Sequence, residues 1–213
     1  MSMRYSRGNG ILRLAFTAIL LASALAGRAN ASDASAPIEQ LDAGLLQAMK
    51  LGKSAPFRQR YDLLAPLVGR AVALDLILQN GVGAGWTSVP PDQQAALTSA
   101  FQRYSIATYV AHFDEYGGER FELLPPATGA SGGPIVQVKI VPGKPGDETH
   151  VLGYSMRQVG GAWKAVDVTA DSTISQVVAQ QAEIRSLFSR YGTSGLLARL
   201  QEKTAQLSGG ALR

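Results

Sequence analysis

The sequence contains no cysteine. Disulfides, thiol nucleophiles and thiolate metal sites are therefore excluded. Histidine is nearly as scarce. His112 and His150 are the only two, and neither belongs to an H-E-x-x-H pair or another ligand cluster, so no metal and no cofactor is expected. No G-x-S-x-G elbow occurs either, which argues against a triad hydrolase of that type. Charged residues make up only 17% of the chain against 46% hydrophobic, too apolar a balance for a disordered protein. An excess of one charge is missing as well. The formal net charge of +4 comes from Arg4, Arg7, Arg13 and Arg28, and the first 31 residues hold no acid. Without that segment 16 basic residues face 16 acidic ones. A neutral body excludes a nucleic-acid-binding module, which works by neutralising phosphates, and a polybasic membrane patch.

Long apolar runs are also lacking. Leu14 to Leu25 is a run of a dozen residues interrupted by Thr17 and Ser23, short of the roughly 20 that span a bilayer. With Arg4 and Arg7 before it and Ala29 and Ala31 after it, the run reads as a secretory leader ending in an A-x-A cleavage site. Cleavage is expected before Ser32, leaving residues 32–213 as a single domain in a bacterial periplasm. No cysteine stands at that site to carry a lipid tether. A body of this length buries about 70% of its unfolded surface and needs no disulfide staples.

What remains is a helical front, a stranded middle and a helical end. The spacing predicts a short helix over Pro37 to Lys50 and a long one over Pro56 to Gln79, where Phe57, Tyr61, Leu64, Val68 and Ala71 recur at helical intervals. Gly81-Val-Gly-Ala-Gly85 follows a helix and lacks the Lys-Ser/Thr of a phosphate loop, so it reads as a flexible connector. Ser88-Val-Pro-Pro-Asp92 starts the next helix, which carries Leu97, Phe101, Tyr104, Thr108 and Phe113 and stops near Gly117-Gly118. Four strands are expected: Arg120 to Leu124, Ile135 to Val141, His150 to Gln158, and Ala162 to Ala170. Gly160-Gly161 predicts a tight hairpin between the last two. Thr173 to Ser189 and Ser194 to Leu207 read as closing helices separated by Gly192.

Alternation within the strands puts Val136, Val138 and Ile140 on one face with Gln137 and Lys139 on the other. Leu152, Tyr154 and Met156 share a face, as do Val166 and Val168. Trp163 has the opposite parity and is expected on the outer face. One apolar side implies an antiparallel sheet covered by helices on that side only. The fold class is α+β, a curved four-stranded antiparallel sheet of cystatin-like type wrapped by the N- and C-terminal helices. Among carboxylates, Asp75 lies beside the apolar stripe of its helix, either paired at the rim or poised for acid–base work.

Residues scattered in order along this frame carry a resemblance. Phe57-x-x-x-Tyr61-Asp62-Leu63-Leu64-x-Pro66 opens the long helix. Trp86 with Gln93 to Phe101 follows, then Tyr109 to Gly118, then Tyr154 with Gly161-x-Trp163-Lys164-x-x-Asp167-Val168. Over roughly Phe57 to Leu207 the chain resembles the MlaC family, the periplasmic auxiliary component of Mla/toluene-tolerance ABC lipid transport systems. It departs from the family where an acidic residue is usually followed by glycine and then a Tyr-Arg pair. Here Asp171 precedes Ser172, and the helix reads Val177-Val-Ala-Gln-Gln-Ala-Glu183. That stretch is more similar to the hopanoid-associated branch, HpnM.

The resemblance implies a binding protein rather than an enzyme, one that would shuttle a hopanoid or a phospholipid between the inner-membrane transporter and the outer-membrane complex of an ABC-type lipid transport system. A monomer is expected, with no nucleic-acid partner. From periodicity alone the apolar stripes read as filled core. The resemblance makes them candidate walls of a lipid cavity: Phe57, Tyr61, Leu64, Val68, Leu74, Trp86, Phe101, Tyr104, Val136, Val138, Ile140, Leu152, Tyr154, Met156, Val166 and Val168. Two other readings stand beside it. One is a small cystatin-like enzyme with Asp75 or His112 as general base. The other is a docking scaffold with a filled core and an exposed apolar patch.

Overall fold

A computed structural model of the protein describes residues 16–129, 132–171 and 174–212. The chain divides into two units, Met1–Asp33 and Ala34–Arg213. In the first, residues 1–15 of the expected leader lie outside the described residues, and the backbone from Phe16 onward is helical. That backbone belongs to α1 (Phe16–Leu51), so the helix does not begin at Pro37 but carries that proline inside it. Among the described residues no helix is long and apolar enough to cross a membrane.

In the second unit, α1 contributes Ala34, Ile38, Leu41, Leu45 and Ala48, all fully buried. They recur three and four residues apart, one stripe of a helix. The expected single helix over Pro56 to Gln79 is two helices, α2 (Phe57–Ala71) and α3 (Leu74–Val82). Between them Val72 is extended, with φ −118 and ψ 137. It forms a parallel bridge to Ala165, and the Ala73 N–H donates to the Ala165 carbonyl at 2.9 Å. Pairing with a distant strand breaks the helix, not a local breaker residue. Gly81 to Gly85 is not a loose connector. It finishes α3 and enters a short 3-10 helix, Gly83–Ser88, before α4 (Pro91–His112).

The sheet is antiparallel and open, with β1 (Arg120–Leu123), β3 (Pro134–Val141), β4 (His150–Val159), β5 (Ala162–Ala170) and β6 (Ile174–Ser175) paired in that order. The two-residue β2 (Ala127–Thr128) pairs with β3. The four strands expected from alternation are present, and β2 and β6 are additions. Gly160 and Gly161, at φ 60 and 80, sit between the paired Val159 and Ala162. Two successive positive φ values make the type I′ turn that suits a right-twisted hairpin.

One irregularity redirects β5. Met156 pairs with Ala165 while Ser155 pairs with Asp167, so Val166 is an extra residue opposite no partner. Such a bulge reverses side-chain parity across it. The expectation that Val166 and Val168 share a face therefore fails. Trp163 and Val168 both pack against the core cluster, so the outer-face placement of Trp163 is corrected too.

The chain ends in α5 (Gln176–Leu207), interrupted at Gly192 by a non-helical backbone of φ 63 and ψ −163. This is the break expected between two closing helices. Thr173, the expected start, lies outside the described residues. The Ser175 hydroxyl caps α5 by accepting the Val178 N–H at 2.8 Å while donating to Asp167 Oδ1 at 2.6 Å. A side-chain oxygen in that position satisfies one of the helix's unpaired N–H groups and ties α5 to the end of β5.

Candidate functional site

Three helices and the sheet fail to close completely on one another. A cavity of about 510 Å³ lies between them. Val72 and α3 supply Val72, Leu74 and Ile77, and the sheet supplies Leu152, Tyr154, Val168 and Ala170. Helix α4 supplies Tyr104, Ser105, Thr108, Tyr109 and His112, with Phe113 just beyond it. Those spacings of one, three and four residues form a single strip of helix surface. The first half of α5 closes the remaining side with Gln176, Val177, Ala179, Gln180 and Glu183.

The cavity survives because small or slender side chains line it where large ones fill the neighbouring layers. Val72, Ser105, Ala170 and Ala179 stand on its wall. One turn before Ser105, Phe101 is fully buried among core residues. Close contact between helices holds α5 in place. A Cβ added at Gly81 would stand 3.1 Å from the Ile184 Cβ, and one at Gly85 would stand 2.8 Å from Phe188 Cε1. The two glycines thus seat consecutive turns of α5. Gln181 donates to the Ile77 carbonyl at 3.4 Å and Arg185 to the Asn80 carbonyl at 3.5 Å. Both bonds are long, so packing rather than hydrogen bonding carries this contact.

Polar groups are few in the deep wall and collect on the α4 and α5 edges. Ser105 Oγ is buried without a hydrogen-bond partner. The Thr108 hydroxyl donates to the Tyr104 carbonyl at 2.9 Å, and His112 Nδ1 lies 2.8 Å from the Thr108 carbonyl. A carbonyl only accepts, so Nδ1 carries the hydrogen there and Nε2 is left as the free nitrogen. Enclosure by protein pushes the Tyr109 phenol up to about 12, with nearby Asp42 adding to the effect. Burial, Tyr109 and Asp42 raise Tyr154 further still. Both phenols therefore stay neutral. Behind them Asp42 of α1 is 8% exposed and its Oδ1 lacks a partner. Burial, with Glu39 close by, raises its carboxyl from the ordinary 3.8 to about 7.

The structure sorts the sequence-predicted wall residues into three groups. Leu74, Tyr104, Leu152, Tyr154 and Val168 line the cavity. Leu64, Val68, Phe101, Val136, Val138 and Met156 are buried in the core instead. Phe57, Tyr61 and Trp86 are half-buried against that core, and Ile140 and Val166 are half-buried strand residues. Sequence reasoning did not select the wall of α5, Ser105 or Tyr109. The strip on α4 was detectable from the Tyr104–Thr108 spacing, but a helix face of glutamines gives no apolar signal. His112 lines the cavity, whereas Asp75 is exposed and accepts a hydrogen bond from Gln102 at 2.8 Å. His150 is exposed and pairs with Asp171 at 3.0 Å. Among the described residues no cluster of three metal-ligating side chains occurs.

With this geometry in view, the chain matches the MlaC protein family over residues 39–202. Its fold is similar to that of a phospholipid-binding protein from Ralstonia solanacearum, solved in complex with a phospholipid. That similarity has a TM-score of 0.65 and 21% identity, and covers 83% of this chain and 99% of the other. No curated protein sequence matches.

Proposed function

The chain belongs to the MlaC family, and from that premise we propose that it is a lipid carrier whose cargo occupies the cavity between α3, α4, α5 and the sheet. The observation that carries this reading is the cavity itself, about 510 Å³ and walled largely by Leu74, Ile77, Phe113, Leu152, Val168 and Val177. Sites for small apolar guests span about 300–1,000 Å³. Each methylene withdrawn from water contributes about 0.8 kcal/mol, so a single 16-carbon tail gains roughly 13 kcal/mol gross. Affinity needs no reactive group.

In this reading the first 31 residues are a cleaved leader, and residues 32–213 form one periplasmic domain with cystatin-like curvature that acts as a monomer. It passes a hopanoid or a phospholipid between an inner-membrane ABC transporter and an outer-membrane complex. The Asp171-Ser-Thr stretch supports the hopanoid-associated branch. Binding rather than catalysis is supported by the position of Asp75, which is exposed and absent from the cavity wall. Release requires a state in which the wall opens, and a partner that favours that state would drive it. The half of α5 before Gly192 is the wall segment with a backbone break at its far end.

Solvent extraction of the purified protein followed by mass spectrometry tests the carrier reading. Lipid in near-stoichiometric amount is expected. Protein that neither retains lipid nor takes it up from vesicles would refute it.

A further inference from the structure

A carboxyl has no structural use where Asp42 holds one. It follows Leu41 on α1, beside a stripe of fully buried apolar residues, and is itself 8% exposed. Its Oδ1 has no hydrogen-bond partner. Among the described residues no lysine or arginine pairs with it. Arg60 of α2, the other buried charged residue, donates Nη1 to the Val110 carbonyl at 3.1 Å and lies over the Phe57 ring. Three titratable groups lie within reach of the Asp42 charge: Glu39 one turn earlier on α1, to which Ser35 donates a hydrogen bond, Tyr109 of α4 and Tyr154 of β4. The same two phenols are cavity wall, which places Asp42 in the layer behind the guest.

We propose that Asp42 couples lipid loading to protonation, so that the cavity fills when this carboxyl is neutral and empties when it ionises. The inference rests on the carrier reading above. A buried carboxylate with no cation beside it needs water or hydroxyl donors. The donors at hand are the Tyr109 and Tyr154 phenols and water entering the cavity they border. A lipid tail displaces that water and holds the phenols against apolar surface, so loading makes the charge more costly. Reciprocity then requires the charge to weaken loading by the same factor. Burial and Glu39 raise the carboxyl to about 7, so binding should be level below that pH and fall above it. One proton limits the fall to about tenfold per pH unit. His112, also on the wall, gains charge as pH falls and would act in the opposite direction. Glu183 is already paired with Lys203.

The test uses the full-length expressed protein, stripped of lipid and equilibrated at partial occupancy with dioleoylphosphatidylcholine vesicles from pH 5 to 8. The phosphate and quaternary ammonium of this lipid keep their charges over that range, so a change with pH belongs to the protein. Mass spectrometry of the re-isolated protein is expected to show partition onto it falling about three- to tenfold between pH 6 and pH 8. Asp42→Asn, which cannot ionise, should bind equally throughout. Glu39→Gln, at an exposed position, removes a neighbouring negative charge and should move the fall to lower pH. In weakly buffered solution at pH 7, loading should also take up about half a proton per lipid, and none in Asp42→Asn. Binding that is level across the range, or that rises with pH, overturns the coupling and leaves the carrier reading standing. A fall that neither variant alters overturns it too, since another group would then be its source. Lipid bound at no pH overturns the carrier reading and this inference with it.

Discussion

Replacing Asp42 with asparagine should change how stability depends on pH, and the size of the change follows from its surroundings. The carboxyl is 8% exposed, with Oδ1 unpartnered. Burial and the charge of Glu39 raise it from 3.8 to about 7. At about 1.4 kcal/mol per pH unit, that difference corresponds to roughly 4 kcal/mol between the protonated and ionised forms. The sign follows from linkage. The folded state holds the proton more tightly than the unfolded chain, so this stabilisation is complete below about 4 and is lost as pH rises through about 7. An asparagine side chain cannot ionise and escapes the loss. Urea unfolding followed by the fluorescence of Trp86 and Trp163 at pH 4 to 8 measures both proteins. Their stabilities should differ little at pH 4 and diverge toward roughly 4 kcal/mol in favour of Asp42→Asn at pH 8, a gap of order 10 °C in Tm for a domain of this size. A difference that stays constant across the pH range would refute the reasoning.

Because the chain has no cysteine, Gly81→Cys with Ile184→Cys supplies a single pair. Their Cβ atoms would stand 3.1 Å apart, so only a few tenths of an ångström separate them from the roughly 3.5–4.5 Å of a disulfide. Oxidation should slow lipid exchange between protein and vesicles, with a reductant restoring it; exchange indifferent to redox state would show that this half of α5 does not move during loading. Valine-to-phenylalanine changes at two sheet positions should part company. Val138, fully buried in the core, should lose about 1–3 kcal/mol to overpacking. Val168 on the cavity wall should keep its melting temperature but hold less lipid, as calorimetry and extraction would show. Finally, lipid returned to stripped protein should raise its stability by about 4 kcal/mol at a thousand times Kd; coincident melting curves would place the lipid elsewhere.

Local signals made much of this fold legible. Alternation located the strands, and Gly160-Gly161 announced their hairpin. What escaped was set by partners far along the chain. Nothing around Val72 forbids a continuous helix; the break comes from Ala165 on β5. Gly81 and Gly85 read as slack because the side chains that need their missing Cβ atoms, Ile184 and Phe188, lie about a hundred residues later. The bulge at Val166 inverted the parity of β5, which a regular apolar alternation gives no means of seeing. The cavity wall is harder again. Phe101 and Tyr104 are three residues apart on one helix, yet one is core and the other borders empty space. Hydrophobic spacing says which side of a helix is buried, not whether anything fills the volume opposite.

That volume constrains the protein's state. An apolar void costs about 24 cal/mol per Å³ when sealed and empty. The cavity of about 510 Å³ opens to solvent at its α5 edge, so that cost falls only on the part of its apolar wall that water does not reach. Water admitted at the polar edge relieves part of the cost, but it finds little to bind within, where the Thr108 hydroxyl already serves the Tyr104 carbonyl and Ser105 Oγ is shielded. An apolar guest meets the rest of the wall on equal terms and restores the dispersion contacts that the small residues leave unmade. The same small side chains that leave contacts unmade in the empty domain would thus favour a loaded one, as the proposed carrier role requires.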